Sequence, residues 1–160
     1  KQGEVEEFKV EFTPEDMNVT IKEVIKETKK AVDITDAKVL VSGGRGIGSA
    51  DYYKELQKVA DLLGGEISSS RANVDAGWIA KDRQVGQTGK TVRPDLYLAC
   101  GISGAIQHIA GMENSECVIS INKNDTAAIF DVSDLGIVGD VKVIIPKLID
   151  ALTKYKAAQN

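Results

Sequence analysis

The sequence has few of the residues that build metal sites and disulfide frameworks. Its 160 residues include two cysteines and one histidine. Cys100 and Cys117 do not form a C-x-x-C pair, and no clustered histidines could complete a zinc site with them. Both cysteines follow apolar residues typical of strands, so we expect buried, reduced thiols and a cytosolic or matrix-like compartment.

Long apolar runs and an excess of positive charge are also missing. No run approaches the roughly 18 to 20 residues that a membrane span needs, and the charged start KQGEVEEFK has no signal-peptide core. The formal net charge is −4 and the Lys and Arg residues are scattered along the chain, which argues against binding to a nucleic-acid backbone. We therefore expect one main domain with a sizeable core, no membrane span and no nucleic-acid partner.

The first 35 residues differ in pattern from the rest of the chain. Phe8 and Val10 alternate with charged residues, which predicts a strand over residues 5–12 with one face in water. A second extended piece is expected near residues 18–24, although the periodicity there is mixed. We interpret residues 1–35 as an arm or as the remnant of a preceding domain, and residues 36–160 as the main domain.

From Ala37 onward the pattern is strand, glycine turn and helix, repeated. The run AKVLVS is typical of a strand buried on both faces of a parallel sheet, and the amphipathic DYYKELQKVADLLGG that follows predicts a helix. Four further strands are predicted at EISSS, DLYLAC, CVISIN and LGIVGD, and two further helices at SGAIQHIAGM and VKVIIPKLIDALTKYK, with Pro146 in or near the first turn of the last. This alternation predicts an α/β fold, a three-layer α/β/α domain with a mostly parallel, Rossmann-like sheet.

Several polar residues follow the predicted strands. Ligands of such folds bind beyond the carboxyl ends of the strands, and the residues expected there are Arg45, Ser70, Arg71, Ser103, His108, Asn122 and Asp140. The small residues Gly101, Ser103 and Gly104 stand where a strand gives way to a helix, so backbone amides could reach an anion. The sequence therefore predicts a phosphate-bearing ligand at this turn.

Each of these features has a structural alternative. The segment GGRGIGS resembles a dinucleotide fingerprint but has Ser49 where the third glycine belongs, so a simple tight turn remains open. QVGQTGK lacks the spacing of a P-loop, which excludes ATP hydrolysis by that mechanism. A lone histidine such as His108 is more often structural, and Arg71 could be an ordinary surface cation.

Six segments, in order, resemble one family: the FAD-binding domain of the electron transfer flavoprotein alpha subunit. They are GGRG at 43–46, SRANVDAG at 70–77, QVGQTGK at 84–90, PDLYLACGISGAIQHIAGM at 94–112, SINKN at 120–124 and DLGIVGD at 134–140. The resemblance covers about residues 37–150. It implies a fold of the DHS-like NAD/FAD-binding type, FAD as the cofactor, a heterodimer with the beta subunit and a bacterial cytoplasmic location.

The resemblance also implies contacts for each part of the cofactor. The pyrophosphate and ribityl chain would lie along Ser103, Gly104, Ala105, Ile106 and Gln107. The adenosine end would lie by Asn122, Lys123, Asp140 and Val141. The flavin ring would lie by Arg45, Ser70, Arg71, Val85, Gly86, Gln87, Thr88 and His108. Among these, His108 and Arg71 are expected near the carbonyl that gains negative charge on reduction, where a cation or donor is stabilising.

The function that the resemblance implies is electron transport, with acyl-CoA dehydrogenase type proteins as donors. The sequence has no evident nucleophile paired with a base and no close carboxylate pair, so no catalytic residue is expected. The alternative is a flavoprotein subunit of an electron-bifurcating or acyl-CoA-reducing complex that uses NADH. A nicotinamide-binding Rossmann domain is disfavoured by the broken fingerprint. The chain departs from the family at Asn124, commonly Asp, and at Ala128, frequently Pro.

Overall fold

The computed structural model describes residue 3, residues 6–10 and residues 33–159. The chain divides into two units, Lys1–Lys30 and Ala31–Asn160. In the first unit, residues 6–10 form no strand and are exposed, with Phe8 88% exposed. The strand predicted over residues 5–12 is therefore wrong over its described part, since alternation yields a strand only where a paired neighbour supplies hydrogen bonds. The extended piece predicted near residues 18–24 lies outside the described residues.

The second unit contains the predicted parallel sheet. Its strands are β1 (Val39–Gly43), β2 (Glu66–Ser69), β3 (Leu96–Cys100), β4 (Val118–Asn122) and β5 (Leu135–Val138). They are ordered β2-β1-β3-β4-β5, and every neighbouring pair is parallel. Four of these five strands lie within the segments predicted from apolar runs, and β1 extends one residue beyond its segment, to Gly43. The α/β class and the parallel sheet are therefore confirmed.

Among the described residues, four α-helices accompany the sheet. They are α1 (Tyr53–Leu63), α2 (Arg71–Asp75), α3 (Ile106–Ile109) and α4 (Val141–Gln159). Helix α1 ends at Gly64, which adopts a left-handed φ of 68° and donates its backbone N–H to the carbonyls of Ala60 and Asp61. Helix α4 begins where the Lys142 backbone N–H donates to Asp140 Oδ1 at 2.8 Å. Pro146 lies inside α4, in its second turn.

Successive side chains of the central strands face opposite sides of the sheet and produce two cores. On one side, which we call the helix face, Val41, Leu98 and Ile121 pack with α1 and α4. On the other, which we call the loop face, Leu40, Tyr97 and Ala99 pack under α3, short turns and loops. Each fully buried aliphatic side chain stabilises the fold by about 1.5–3 kcal/mol. The three-layer α/β/α arrangement is thus confirmed, with a third layer made mostly of loops.

Helix α3 is shorter than the sequence predicted. The predicted helix starts at Ser103, whereas the observed one covers only Ile106–Ile109. Gly104 has a left-handed φ of 88°, and a Cβ at this position would lie 2.1 Å from the backbone nitrogen of Ile129. The Ile129 N–H donates to the carbonyl of Ser103 at 3.1 Å. This long-range backbone contact holds Ser103 and Gly104 out of the helix, which local periodicity could not reveal.

Candidate functional site

A cleft of about 960 Å³ lies at the carboxyl ends of the strands. The residues that end or directly follow the five strands line it: Gly44, Ser70, Gly101, Asn122 and Gly139. Because the strands are ordered β2-β1-β3-β4-β5, the cleft crosses four gaps of about 4.8 Å, or roughly 19 Å in all. Its position and length suit an elongated ligand bound at the strand ends.

The glycines of GGRG allow two turns to approach each other closely. Gly44 N–H donates to the Cys100 carbonyl and Gly46 N–H to the Gly101 carbonyl, both at 2.9 Å. A Cβ at Gly44 would lie 2.4 Å from the Gly101 carbonyl oxygen. The spacing of these glycines therefore has a packing reason.

The loop of residues 84–90 is fixed between β2 and α3. Val85 N–H donates to the Ser69 carbonyl at 2.9 Å, and Gln87 N–H donates to the Gln107 carbonyl at 2.7 Å. Gly86 has a φ of 136°, and a Cβ there would lie 2.8 Å from the same Gln107 carbonyl oxygen. These contacts bring Gln87 and Gln107 together at the wall of the cleft.

The buried Gln84 side chain holds the polar tip of this loop in place. The Gln84 side chain is fully buried, its Nε2 donates to Thr88 Oγ1 at 3.0 Å, and its Oε1 accepts from Lys81 Nζ at 2.7 Å. Lys90 Nζ forms an ion pair with Asp33 Oδ1 at 2.7 Å. The Thr88 hydroxyl is therefore held by a buried amide that sequence reasoning did not single out.

His108 lies in the cleft wall and is 6% exposed. Its Nε2 lies 2.9 Å from the Tyr97 hydroxyl, and its Nδ1 is buried without a hydrogen bond of good geometry. Burial lowers the pKa of His108 to about 4, and a hydrogen bond to the Val85 backbone opposes this with a smaller effect. The imidazole is therefore neutral at pH 7, and it can stabilise negative charge as a hydrogen-bond donor but not as a cation.

The cleft is richer in positive than in negative side chains. Its lining includes the cations Arg45, Arg71, Lys123 and Lys142 and the carboxylate Asp140, although the whole chain has a formal net charge of −4. A local excess of cations in a concave site favours an anionic ligand.

Three of the charged groups at the cleft are positioned by neighbours. The Arg45 guanidinium lies 5.8 Å from the centre of the Trp78 ring, within the range of a cation–π contact. Arg71 Nε lies 3.3 Å from Asp75 Oδ2, in an exposed pair along α2 that contributes little to stability. Asp140 Oδ1 caps α4, so this carboxylate has both a structural role and a place in the cleft.

The Asn122 side chain stabilises the turn that follows β4. Its Nδ2 donates to the Ile102 carbonyl at 2.8 Å and its Oδ1 accepts from the Asn124 backbone N–H at 2.9 Å. The Asn124 side-chain oxygen in turn accepts from the backbone N–H and the hydroxyl of Thr126. The amide of Asn122 therefore ties the turns after β3 and β4 together at the edge of the cleft.

The structure brings fifteen of the seventeen predicted site residues to this cleft. The exceptions are Gly104, which packs on Ile129, and Ile106, whose side chain is 81% exposed. Sequence reasoning missed Gln84, Asn124, Thr126 and Lys142, all of which line the cleft. Lys142 directly follows Asp140 and Val141, which were predicted site residues. Its position in the first turn of the predicted helix could have indicated that it also lies at the site.

The described residues contain neither a metal-binding cluster nor a helix suited to crossing a membrane. No group of three or more His, Cys, Asp or Glu side chains in them is placed to hold a metal ion. Within the same part of the chain, no helix combines the length and the apolar character that crossing a bilayer requires.

Known proteins resemble this chain over nearly its whole length. The chain is 52% identical over 156 residues to "Electron transfer flavoprotein subunit alpha" of Thermoanaerobacterium thermosaccharolyticum, which covers 98% of the chain and 47% of that protein. It is 53% identical to "Protein FixB" of Clostridium saccharobutylicum, over 91% of the chain and 43% of the relative. It is 50% identical to "Acryloyl-CoA reductase electron transfer subunit beta" of Anaerotignum propionicum, over 93% of the chain and 41% of that protein. The chain thus spans about half the length of the curated relatives it matches.

A family model agrees with these relatives. The model, described as "Electron transfer flavoprotein FAD-binding domain", matches residues 33–113. This stretch runs from the first described residues of the second unit through β1, β2, β3 and α3, so it contains most of the loops that wall the cleft. It covers just over half of the chain. The chain therefore belongs to the electron transfer flavoprotein alpha-subunit family, and its matched domain is the FAD-binding domain of that family.

Proposed function

We propose that FAD lies in the cleft along the carboxyl ends of the strands. Three observations support the fit. The cleft spans roughly 19 Å across five strands, which suits a dinucleotide. Its four cationic side chains suit a pyrophosphate. The His108 side chain lies in the cleft wall, where an imidazole can act as a hydrogen-bond donor to the ligand. The single observation that carries the proposal is this positively charged lining in an acidic chain.

We propose that the two ends of the cleft hold the two ends of FAD. Ser70 and Arg71 follow the edge strand β2, and Asp140 follows the opposite edge strand β5. The flavin end belongs with Arg71 and Thr88, and the adenosine end with Lys123 and Asp140. Asp140 has a second carboxylate oxygen beyond the one that caps α4, and it suits a ribose hydroxyl.

FAD supplies the reversible uptake of electrons when it is bound. The protein side chains orient it and set the local charge. A neutral His108 would donate a hydrogen bond to the part of the flavin ring that gains negative charge. Arg71 would add a nearby positive charge, and Gln84 would hold the Thr88 hydroxyl in place. Such fixed donors favour the reduced form over the oxidised one because they need no reorganisation.

For the whole protein, we propose an electron carrier that works as a heterodimer with a beta subunit. The family membership and the names of the relatives support this role. We propose acyl-CoA dehydrogenase type proteins as electron donors and the bacterial cytoplasm as the location. The free thiols of Cys100 and Cys117 agree with a reducing compartment.

A second candidate function has support from one relative. The 50% identical protein of Anaerotignum propionicum is named as an electron transfer subunit of acryloyl-CoA reductase. This favours, as the alternative, a subunit of an acyl-CoA-reducing or electron-bifurcating complex that uses NADH. Mixing the FAD-loaded heterodimer with NADH separates the two: rapid bleaching of the flavin absorbance supports the complex, and an unchanged spectrum supports the simple carrier.

FAD binding can be followed with the single tryptophan of the chain. Trp78 contacts Arg45 at the cleft, so we expect FAD to quench its fluorescence. FMN and ADP should each bind at least tenfold more weakly than FAD.

Lys142→Ala should weaken FAD binding about three- to tenfold through loss of one cation contact. Lys147→Ala is the matched control, because Lys147 lies exposed on the same helix and outside the cleft. Equal affinity for FAD and FMN would contradict a dinucleotide site.

A further inference from the structure

A buried cluster of hydrogen bonds lies where strands β1 and β2 end side by side. Asn73 is fully buried on α2, and its Nδ2 donates to the Gly43 carbonyl at 3.2 Å and to the Tyr53 hydroxyl at 2.9 Å. The Tyr53 hydroxyl also lies 2.6 Å from Ser69 Oγ. Because a carbonyl oxygen only accepts hydrogen bonds, the amide nitrogen of Asn73 must face Gly43, and the orientation of the amide is defined. The Asn73 side chain therefore joins α2 to α1 and to the end of β1.

The cluster lies directly before the two arginines of the cleft. Gly43 and Ser69 are the last register partners of β1 and β2, and the Ser70 backbone N–H donates to the Gly43 carbonyl at 3.0 Å. Arg45 and Arg71 each follow these paired residues by two positions in the sequence. A shift of α2 relative to the end of β1 would therefore change how the two guanidinium groups lie relative to each other.

The backbone of Asn73 supports Arg45 by a second route. Its N–H donates to the Ser70 carbonyl at 3.2 Å, and its carbonyl accepts from the Trp78 N–H at 2.9 Å. The Trp78 ring is partly buried in the helix face, and its centre lies 5.8 Å from the Arg45 guanidinium. An aromatic face attracts and orients a guanidinium at this distance. The same residue thus connects to Arg71 through α2 and to Arg45 through Trp78.

We propose that Asn73 is a positioning residue that fixes Arg45 and Arg71 relative to each other, so that both guanidinium groups act on the same anionic ligand. That this ligand is FAD rests on the function proposed above, whereas the placement of the arginines does not. The exposed ion pair of Arg71 with Asp75 contributes little, so the guanidinium depends on the backbone that carries it. Asn73 lies outside the cleft lining and acts on the ligand only through the arginines.

The support of Arg45 is tested without a cofactor, because Trp78 is the single tryptophan of the chain. In Asn73→Ala we expect acrylamide to quench the Trp78 fluorescence more strongly, since the segment that holds the ring is released. Ser68→Ala removes a fully buried hydroxyl of β2 outside the cluster and should leave the quenching unchanged. Unchanged quenching in Asn73→Ala would overturn the proposal. If Asn73→Ala fails to fold, Tyr53→Phe gives the same test with a smaller expected change, because it keeps the ring and removes only the hydroxyl.

The support of Arg71 is tested by a double-mutant cycle on FAD affinity. Arg71→Ala should weaken FAD binding about tenfold in the wild-type background, through loss of a charge-assisted contact. In an Asn73→Ala background the same change should weaken it only about threefold or less, because the guanidinium is no longer held at the ligand. A Ser68→Ala background should leave the effect of Arg71→Ala undiminished.

Two outcomes of this cycle are decisive. Equal losses from Arg71→Ala in the wild-type and Asn73→Ala backgrounds would show additive, independent residues and would overturn the role of Asn73. Failure of the wild-type protein to bind FAD would instead overturn the proposed function, and the quenching of Trp78 would still decide whether Asn73 holds the surroundings of Arg45.

Discussion

The helix face and the loop face cover the same sheet in different ways. On the helix face, apolar side chains of α1 and α4 pack against Val41, Leu98 and Ile121. On the loop face, short turns cover Tyr97 and the core includes polar groups such as His108. A helix satisfies its own backbone and can present only side chains to the sheet, whereas a loop also brings backbone groups into contact. We infer that the helix face mainly stabilises the fold and that the loop face shapes the site.

The contacts between backbones make this difference concrete. Gly104 approaches the backbone of Ile129, and Gly111 approaches the backbone of Gly86, closely enough that neither position has room for a Cβ. Where α1 packs on the sheet, Leu56 and Val59 fill the space with side chains. A substitution in the core of the loop face should therefore alter stability and cofactor binding together, and one in the core under α1, away from the strand ends, should alter stability alone.

The largest effect is expected at Gly104. Gly104→Ala combines a left-handed φ of 88° with a Cβ 2.1 Å from the Ile129 nitrogen, so the segment around Ile129 must move. We expect the free energy of unfolding to fall by about 4 kcal/mol, from the left-handed cost and the overpacking together, and FAD affinity to fall with it. Chemical denaturation and FAD titration measure the two changes.

Gly77 provides the matched control for Gly104. It also has a left-handed φ, of 70°, but a Cβ at Gly77 would meet nothing within 4 Å. Gly77→Ala should therefore cost only the conformational term of about 1 kcal/mol and should leave FAD affinity unchanged. Similar losses in the two variants would mean that the contact with Ile129 contributes nothing.

The next largest effect is expected on the helix face at Leu56. This side chain is fully buried between α1 and the sheet, and Leu56→Ala leaves a cavity there. We expect the free energy of unfolding to fall by about 3 kcal/mol. In contrast to Gly104→Ala, the variant should bind FAD with unchanged affinity at temperatures where it is folded. A loss of affinity in the folded variant would break the division between the two faces.

The buried imidazole gives the loop face a pH dependence. The pKa of His108 is about 4 in the native protein and 6.5 ordinarily, so between these values the unfolded chain binds a proton that the native chain does not. Stability from this group is complete above pH 6.5 and is lost as the pH falls toward 4. From pH 6.5 to about pH 5 the loss should be about 1.5 kcal/mol. Denaturation of wild type and of His108→Gln at several pH values measures this loss as the difference between their free energies of unfolding. If that difference does not change with pH, the imidazole is not buried in its neutral form.

The same contrast explains what could be predicted from the sequence. The strands were predictable because β1 and β3 are buried on both faces and appear as continuous apolar runs. Helix α1 was predictable from its apolar stripe. The extent of α3 was not, because Gly104 is removed from the helix by a contact with residue 129, and periodicity describes only neighbours in sequence. Local pattern thus captured the helix face better than the loop face.

The candidate site shows the same limit. The strand ends and their polar residues could be predicted because parallel strands bring their carboxyl ends to one edge. The fixation of Thr88 by Gln84 could not, because a buried glutamine looks like any polar loop residue. Nor could the neutral state of His108, which depends on burial by chain segments distant in sequence. The residues could be chosen from sequence, but their protonation and their supporting contacts required the structure.

The smallest effect is expected at the start of the 3₁₀ helix Ala128–Val132, on the loop face. Ala128 is its first residue, where a missing N–H is tolerated, and Ala127 has φ −66° and ψ 128°, which suits a residue before proline. Ala128→Pro should raise the free energy of unfolding by about 0.4–1 kcal/mol, because it restricts the unfolded chain. Since Gly104 packs against the Ala128 carbonyl carbon, stabilisation requires that the proline ring avoid that contact. A destabilised Ala128→Pro, measured by denaturation of the cofactor-free chain, would mean that the loop face is too tightly packed at this turn to accept the ring.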